Sequence, residues 1–168
     1  MITPEFARMM ARYNAWQNRS LVAAASGLDD ANRLADRGAF FRSIAGTFNH
    51  LYWGDSIWMW RFGATEKPKG SIADSVGCFE AWADFVAARH ALDQVILDWA
   101  EAVPAEWLNG EMRWHSNAAG REVSRKHGLL VAHFFNHQTH HRGQIHAMLT
   151  AAGARPDDTD LFLLPDRT

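Results

Sequence analysis

Cysteine is almost missing from this chain: Cys78 is the only one in 168 residues. A single thiol cannot close an internal disulfide, so the fold has to rest on its core, and a reducing, cytoplasmic setting is expected. Long apolar runs are missing too. A bilayer span needs roughly 18–20 consecutive apolar residues, and the best run here, Gly128 to Phe135, is short and contains His133. The opening Met1-Ile2-Thr3-Pro4-Glu5 has neither a basic n-region nor an apolar h-region, so no signal peptide and no membrane partner are expected. Neither charge dominates. Lys and Arg total 17, Asp and Glu 19, and the formal net charge is −2. The basic residues form no stripe, and Glu122 interrupts the densest stretch, Arg121 to Lys126. That pattern excludes nucleic acid as an expected partner.

What is present describes an ordinary globular domain. Apolar residues make up 48% and charged residues 21% of the chain, a composition that buries one core and suits a single domain over 1–168. Two counts stand out, eight tryptophans and nine histidines. The tryptophans read as wedges between helices, each with an indole N–H that needs a partner when buried.

Helical periodicity recurs four times. Thr3-Pro4-Glu5 supplies a cap, a proline at the first helical position and an acid at the positive end of the dipole. Phe6, Met9, Met10, Tyr13, Trp16 and Leu21 continue a first helix from Pro4 to about Ala25, before Gly27. Asp29 to Phe41 reads as a polar connection with room for one short turn. Ser43 caps a second helix that runs to Phe62 and stops at Gly63. Lys67-Pro68-Lys69-Gly70 marks a loop. A third helix is expected from Ser75, with Cys78 in its first turn, to Val103, where Pro104 ends it. Glu111–His115 and Arg121–Ser124 flank Ser116-Asn117-Ala118-Ala119-Gly120 and read as a small β-hairpin or irregular loop. A fourth helix runs from about Lys126 to Ala152. Beyond Gly153, Leu161-Phe162-Leu163-Leu164 is expected to fold back as an apolar tail. Four amphipathic helices without a strong sheet signal predict an all-α four-helix bundle.

The histidines concentrate on the fourth helix, at 127, 133, 137, 140, 141 and 146. Residues four apart differ by only 40° around a helix, so His133, His137 and His141 form one stripe, and His137 and His141 can reach a single ion. Spacing alone leaves open whether His133 or His140 belongs to the set. A third ligand has to come from another helix. His50 lies inside the apolar pattern of Phe48, Leu51 and Tyr52, where an imidazole must be hydrogen-bonded or metallated. The competing structural reading makes His50 a core residue and the tryptophans, His133 and His146 packing residues, with His90, His115 and His127 on the surface and Arg89 near a solvent face.

Three segments carry a family resemblance. Asn136-His137-Gln138-Thr139-His140-His141-Arg142-Gly143-Gln144, Phe48-Asn49-His50-Leu51-Tyr52-Trp53-Gly54-Asp55 and Tyr13-Asn14-Ala15-Trp16-Gln17-Asn18 resemble the motifs of the DinB-like (YfiT-like) metalloenzyme superfamily. The matches cover nearly the whole chain. The resemblance implies a four-helix bundle of up-down-down-up topology, metal ligands His50, His137 and His141, and a homodimer. It also implies relatives that are thiol-dependent S-transferases and isomerases using low-molecular-weight thiols such as bacillithiol or mycothiol, with a small-molecule substrate. This chain departs from the pattern in its additional His133, His140 and His146.

A three-histidine set with an open position suits catalysis through an activated water or, as the resemblance implies, an activated thiol, so the expected activity is a metal-dependent S-transferase or hydrolase; imidazole takes zinc, nickel, copper and iron alike, with zinc or nickel expected first. A zincin-type protease is disfavoured, because Gln138 stands where the glutamate base would follow the first histidine. Tyr13, Tyr52 and Trp53 are expected around the pocket, and Asn14, Asn18, Asn49 and Gln144 as hydrogen-bond partners of the imidazoles. Arg142 is expected either to pair with a carboxylate such as Asp55 or to meet an anionic substrate. The alternative is a non-catalytic metal-binding or stress-response bundle acting through dimerisation.

Overall fold

The computed structural model describes residues 2–116 and 119–166. Among them are four long helices, α1 (Pro4–Ser26), α3 (Ile44–Arg61), α4 (Trp82–Ala102) and α6 (His127–Ala151), and two short ones, α2 (Asp30–Leu34) and α5 (Ala105–Asn109). Strands β1 (Glu111–Ser116) and β2 (Arg121–Lys126) form an antiparallel hairpin, with Glu111 opposite Lys126 and Trp114 opposite Val123. The expected turn residues Asn117 and Ala118 lie outside the described residues. No helix among the described residues is long and apolar enough to cross a membrane.

The helix ends follow local chemistry. The Thr3 side chain accepts from the Phe6 amide and Ser43 from the Gly46 amide, so each start satisfies an otherwise orphaned N–H. Gly63 and Gly153, at φ +82° and +81°, take the left-handed conformation just past the ends of α3 and α6.

α1 packs on α4 and α6, and α3 packs on α6 and α4. Their shared interior has three tiers. One apolar half gathers Ala11, Met59, Ile96, Val131 and Phe134. The other gathers Leu21, Ile44, Phe48, Phe85 and Leu149. Between these residues in every helix sit buried polar ones: Asn14 and Asn18 on α1, Asp55 on α3, Arg89 and Asp93 on α4, and Gln138 and Arg142 on α6. Arg89 bridges Asp55 at 2.7 Å and Asp93 at 2.8 Å, Asn18 donates to Asp93 at 2.8 Å, and Arg142 donates to Asn14. Two acids and two arginines make the tier formally neutral, which is how four charges tolerate burial.

Several expectations change. The third long helix begins at Trp82, not Ser75. Ser75–Gly77 is a single 3-10 turn, because Ser71 and Asp74 close a local turn of their own and Ser75 is drawn inward to a histidine. Cys78 follows that turn and lies off the helix; the residue is exposed overall, but partial desolvation of its thiol, with nearby Asp74 adding to it, raises its pKa. Arg89 is 1% exposed rather than near solvent. His127 is half-buried, stacked on Trp107 at 3.9 Å. Of the eight tryptophans Trp58 is buried, and Trp53, Trp82, Trp99, Trp107 and Trp114 are partly buried and pack against the core. The tail does return to α1, but by polar bonds: the Asp157 amide donates to Ser20, Gln17 donates to the Asp158 carbonyl and the Tyr13 hydroxyl to that of Thr159, while Phe162 is 84% exposed.

Candidate metal centre

α6 and α3 meet so that three imidazoles converge. On α6, His137 and His141 face one way, while Gln138 and Arg142, each a further 100° round, face the polar tier. One helix thus serves two neighbouring layers. From α3, His50 joins the pair. A nitrogen of each ring lies within 4.8 Å of the others, and His137 Nε2 and His141 Nε2 are 3.1 Å apart. Two nitrogens bound tetrahedrally to one ion at 2.0–2.1 Å would stand about 3.3 Å apart, so the spacing fits a shared cation.

The partners of the rings fix which nitrogens are free. Ser75 Oγ gives its single proton to the Ile72 carbonyl at 2.6 Å. It must therefore accept from His50 Nδ1, 2.9 Å away, which leaves His50 Nε2 as the free electron pair. Gln144 Oε1 accepts from His141 Nδ1 at 2.8 Å, which leaves His141 Nε2 free in the same way. These are the outer partners that orient metal-binding histidines. His137 Nδ1 is buried without a partner.

Electrostatics keep the rings neutral. Burial, reinforced by His141, pushes His50 down to about 4. Burial, with His141, His50, His133 and His140 adding to it, pushes His137 down to about 3. His141 is lowered by burial, against the opposing bond to Gln144. Three unprotonated nitrogens aimed at one point form a donor set that could hold one metal ion.

Two further residues complete the site and are not evident from ligand spacing. The Phe41 ring stacks on His50 at 3.7 Å and covers it. It is placed by a tight bend in which Arg42 adopts φ +66° and bonds back to Asp36. Gly54, one turn past His50, has no side chain because a Cβ there would stand 2.9 Å from His137 Cε1. The aromatic before the Ser43 cap and a glycine four residues after a candidate ligand were the available signals.

The other expected site residues separate. Trp53 stands beside the cleft that opens onto His50 and His137, its indole donating to the Lys69 carbonyl. Gln144 partners His141, and Asn49 bonds the Val76 carbonyl, anchoring the turn that carries Ser75. Tyr13, Asn14 and Arg142 lie together in the polar tier, where the Arg142 carbon sits 5.4 Å over the Tyr13 ring. Burial lowers Arg142 to about 10, although Asp55, Tyr13 and Asp93 pull the other way. Asp55, raised to about 6 by burial against the pull of Arg89, pairs with Arg89 rather than Arg142. Asn18 is committed to Asp93, and Tyr52 packs on Phe79. His133 lies 6.0 Å from the His137 ring, centroid to centroid, and His140 4.9 Å from that of His141, but neither shares the three-nitrogen cluster.

A mostly helical protein with a histidine triad able to hold one metal ion is the class this fold and site define. The sequence model of the DinB family matches residues 1–168, and the chain belongs to that family. It is similar to "Protein DinB" of Bacillus subtilis (strain 168), 25% identical over 173 residues that cover 98% of this chain and 97% of the relative. No solved structure gives a significant match.

Proposed function

We propose that this protein is a divalent-metal enzyme of the thiol S-transferase or hydrolase kind, built on an up-down-down-up four-helix bundle and acting on a small molecule. The observation that carries the reading is the convergence of His50, His137 and His141 beside an open cleft of about 910 Å³. Three imidazoles leave a fourth position for a reactant, and a structural site would instead close it. A zinc or nickel ion there supplies Lewis acidity that turns a thiol or a water into a nucleophile near neutral pH.

The chain's own residues do the rest. Ser75 and Gln144 hold two rings in the ligating tautomer. Phe41 shields His50 from solvent on one side. The tryptophans of the cleft exclude water from an apolar substrate. Cys78 is not the nucleophile in this reading, because its thiol is held protonated and bonded to the Ser75 carbonyl. The thiol is a co-substrate, a cytoplasmic setting suits it, and exposed Phe40 and Phe162 offer apolar surface for a homodimer.

The test is turnover. Metal-loaded protein is mixed with a low-molecular-weight thiol and 1-chloro-2,4-dinitrobenzene, and thioether formation is followed by absorbance. A parallel assay follows hydrolysis of p-nitrophenyl acetate. One of the two is expected to proceed above background and to stop on chelation and in His50→Ala. A chelator-insensitive background rate in both would leave a non-catalytic metal-binding bundle.

A further inference from the structure

The cleft beside the histidines is not neutral. Arg61, Lys67 and Arg113 line it, and no carboxylate does among the described residues. Lys67 and Arg113 are exposed, so water screens them. Arg61 is different. It is half-buried, it has no hydrogen-bond or ion-pair partner among the described residues, and its Nε is shut away from water. Its guanidinium packs against two neighbouring indoles, 4.6 Å from the Trp58 ring and 5.5 Å from that of Trp114, the two rings themselves standing 6.1 Å apart. Burial lowers its pKa, with no acid nearby to oppose the shift. Elsewhere in this protein buried arginines are paired: Arg89 with two aspartates, Arg33 with Asp30, Arg142 with Asn14. An unpaired arginine packed on aromatics and open to a cleft has the chemistry to bind an anion.

Its position gives the ligand a length. Arg61 is eleven residues after His50, three turns along α3 and only about 20° round, so both lie on the cleft face about 16 Å apart along the axis. Gly54 and Ile57 lie on that face between them, and Trp58 and Trp114 form the walls at the Arg61 end.

Resting on the metal reading above, we propose that the substrate is an organic carboxylate with an aromatic or apolar body. Its carboxylate is held by Arg61 beside the Trp58–Trp114 pair, and its reactive end lies toward the histidines. The planar guanidinium matches a carboxylate in a two-bond fork, and the indoles provide a dry surround in which that bond is strong.

The experiment measures binding of 4-phenylbutyrate and its uncharged amide to the zinc-loaded full chain by titration calorimetry. The wild type is expected to favour the carboxylate by about tenfold or more, the scale of a hydrogen bond to a charged partner. Arg61→Gln is expected to erase that preference while leaving amide binding and zinc content unchanged. Arg61→Lys, which keeps the charge but loses the planar fork, is expected to weaken carboxylate binding several-fold and leave the amide alone. His50→Ala, stripped of metal, is expected to retain the preference. Equal binding of the two compounds to wild type, binding of neither, or an unaltered carboxylate affinity in Arg61→Lys would overturn the proposal. A preference that survives Arg61→Gln but disappears in His50→Ala would put the carboxylate on the metal, refuting the Arg61 site and leaving the metal reading intact. Full zinc occupancy in His50→Ala would sink the metal reading instead.

Discussion

Ser75→Ala removes one hydroxyl that no ligand spacing points to, and metal affinity should fall. In the native protein that hydroxyl accepts from His50 Nδ1 at 2.9 Å while donating to the Ile72 carbonyl at 2.6 Å. Without it the imidazole has two choices. It keeps its proton on Nδ1, as a buried donor without a partner at a cost of about 1–3 kcal/mol. Otherwise it moves the proton to Nε2 and ceases to be a ligand there. Loss of such an outer partner lowers metal affinity by roughly 10–100-fold, which is about 1.4–2.7 kcal/mol. Competition with a chromophoric chelator reads this directly. At a fixed excess of free metal, each tenfold loss also removes about 1.4 kcal/mol of metal-linked stabilisation, or roughly 3–6 °C of Tm in a protein of this size. Melting the metal-free variant gives the cost of the two lost Ser75 bonds apart from the metal, about 1–3 kcal/mol. Ser75→Thr keeps a hydroxyl and should retain most of the affinity. If Ser75→Ala binds zinc and nickel as tightly as wild type, the tautomer argument is wrong.

Three other perturbations follow from the same geometry. Gly54→Ala should lower metal affinity about tenfold, because its Cβ would stand 2.9 Å from His137 Cε1 and displace that ring; unchanged affinity in the chelator competition would refute it. Arg89→Met leaves Asp55 and Asp93 buried without their cation, so it should destabilise the fold by about 3–5 kcal/mol, roughly 6–20 °C of Tm, and a shift of only a degree or two would mean the tier is not a coupled unit. Acid should weaken the metal-free protein through the triad. His50 and His137 titrate near 4 and 3 when folded against 6.5 as model values. Between those limits the unfolded chain binds protons the folded one does not, so stability is lost as pH falls from about 6.5. Asp55, raised to about 6, acts in the opposite sense, so the informative quantity is the difference in pH slope between wild type and His137→Gln. The wild type should fall more steeply with acid, and parallel curves would contradict the assignment of neutral rings.

How much of this was legible in the sequence depends on the range of the forces involved. Helix ends set by neighbours were readable: Thr3 and Ser43 cap where their residue type says, and Gly63 and Gly153 stop their helices. The histidine stripe of α6 was readable because helical geometry is local, but spacing left His133 and His140 open, and the family resemblance singled out His50, His137 and His141. The start of α4 was misread, since the Phe79–Trp82 spacing is helical while Ser75 is pulled into a turn by the distant His50. The polar tier was legible only in fragments for the same reason. A carboxylate partner was expected for Arg142 and imidazole partners for Asn14 and Asn18, and only packing turns Asn18, Asp55, Arg89 and Arg142 toward one another instead. Phe41 belonged to a stretch read as polar, and only the bend at Arg42 sends its ring onto His50.

The central claim is that one divalent ion binds where the three imidazoles meet. It is tested most directly by counting metal in protein purified without a histidine tag, for wild type, His50→Ala and His141→Ala, after equilibration with zinc and removal of the excess. The account predicts close to one ion per wild-type chain and next to none in either variant. Full occupancy in both variants, or an empty wild type, would contradict it.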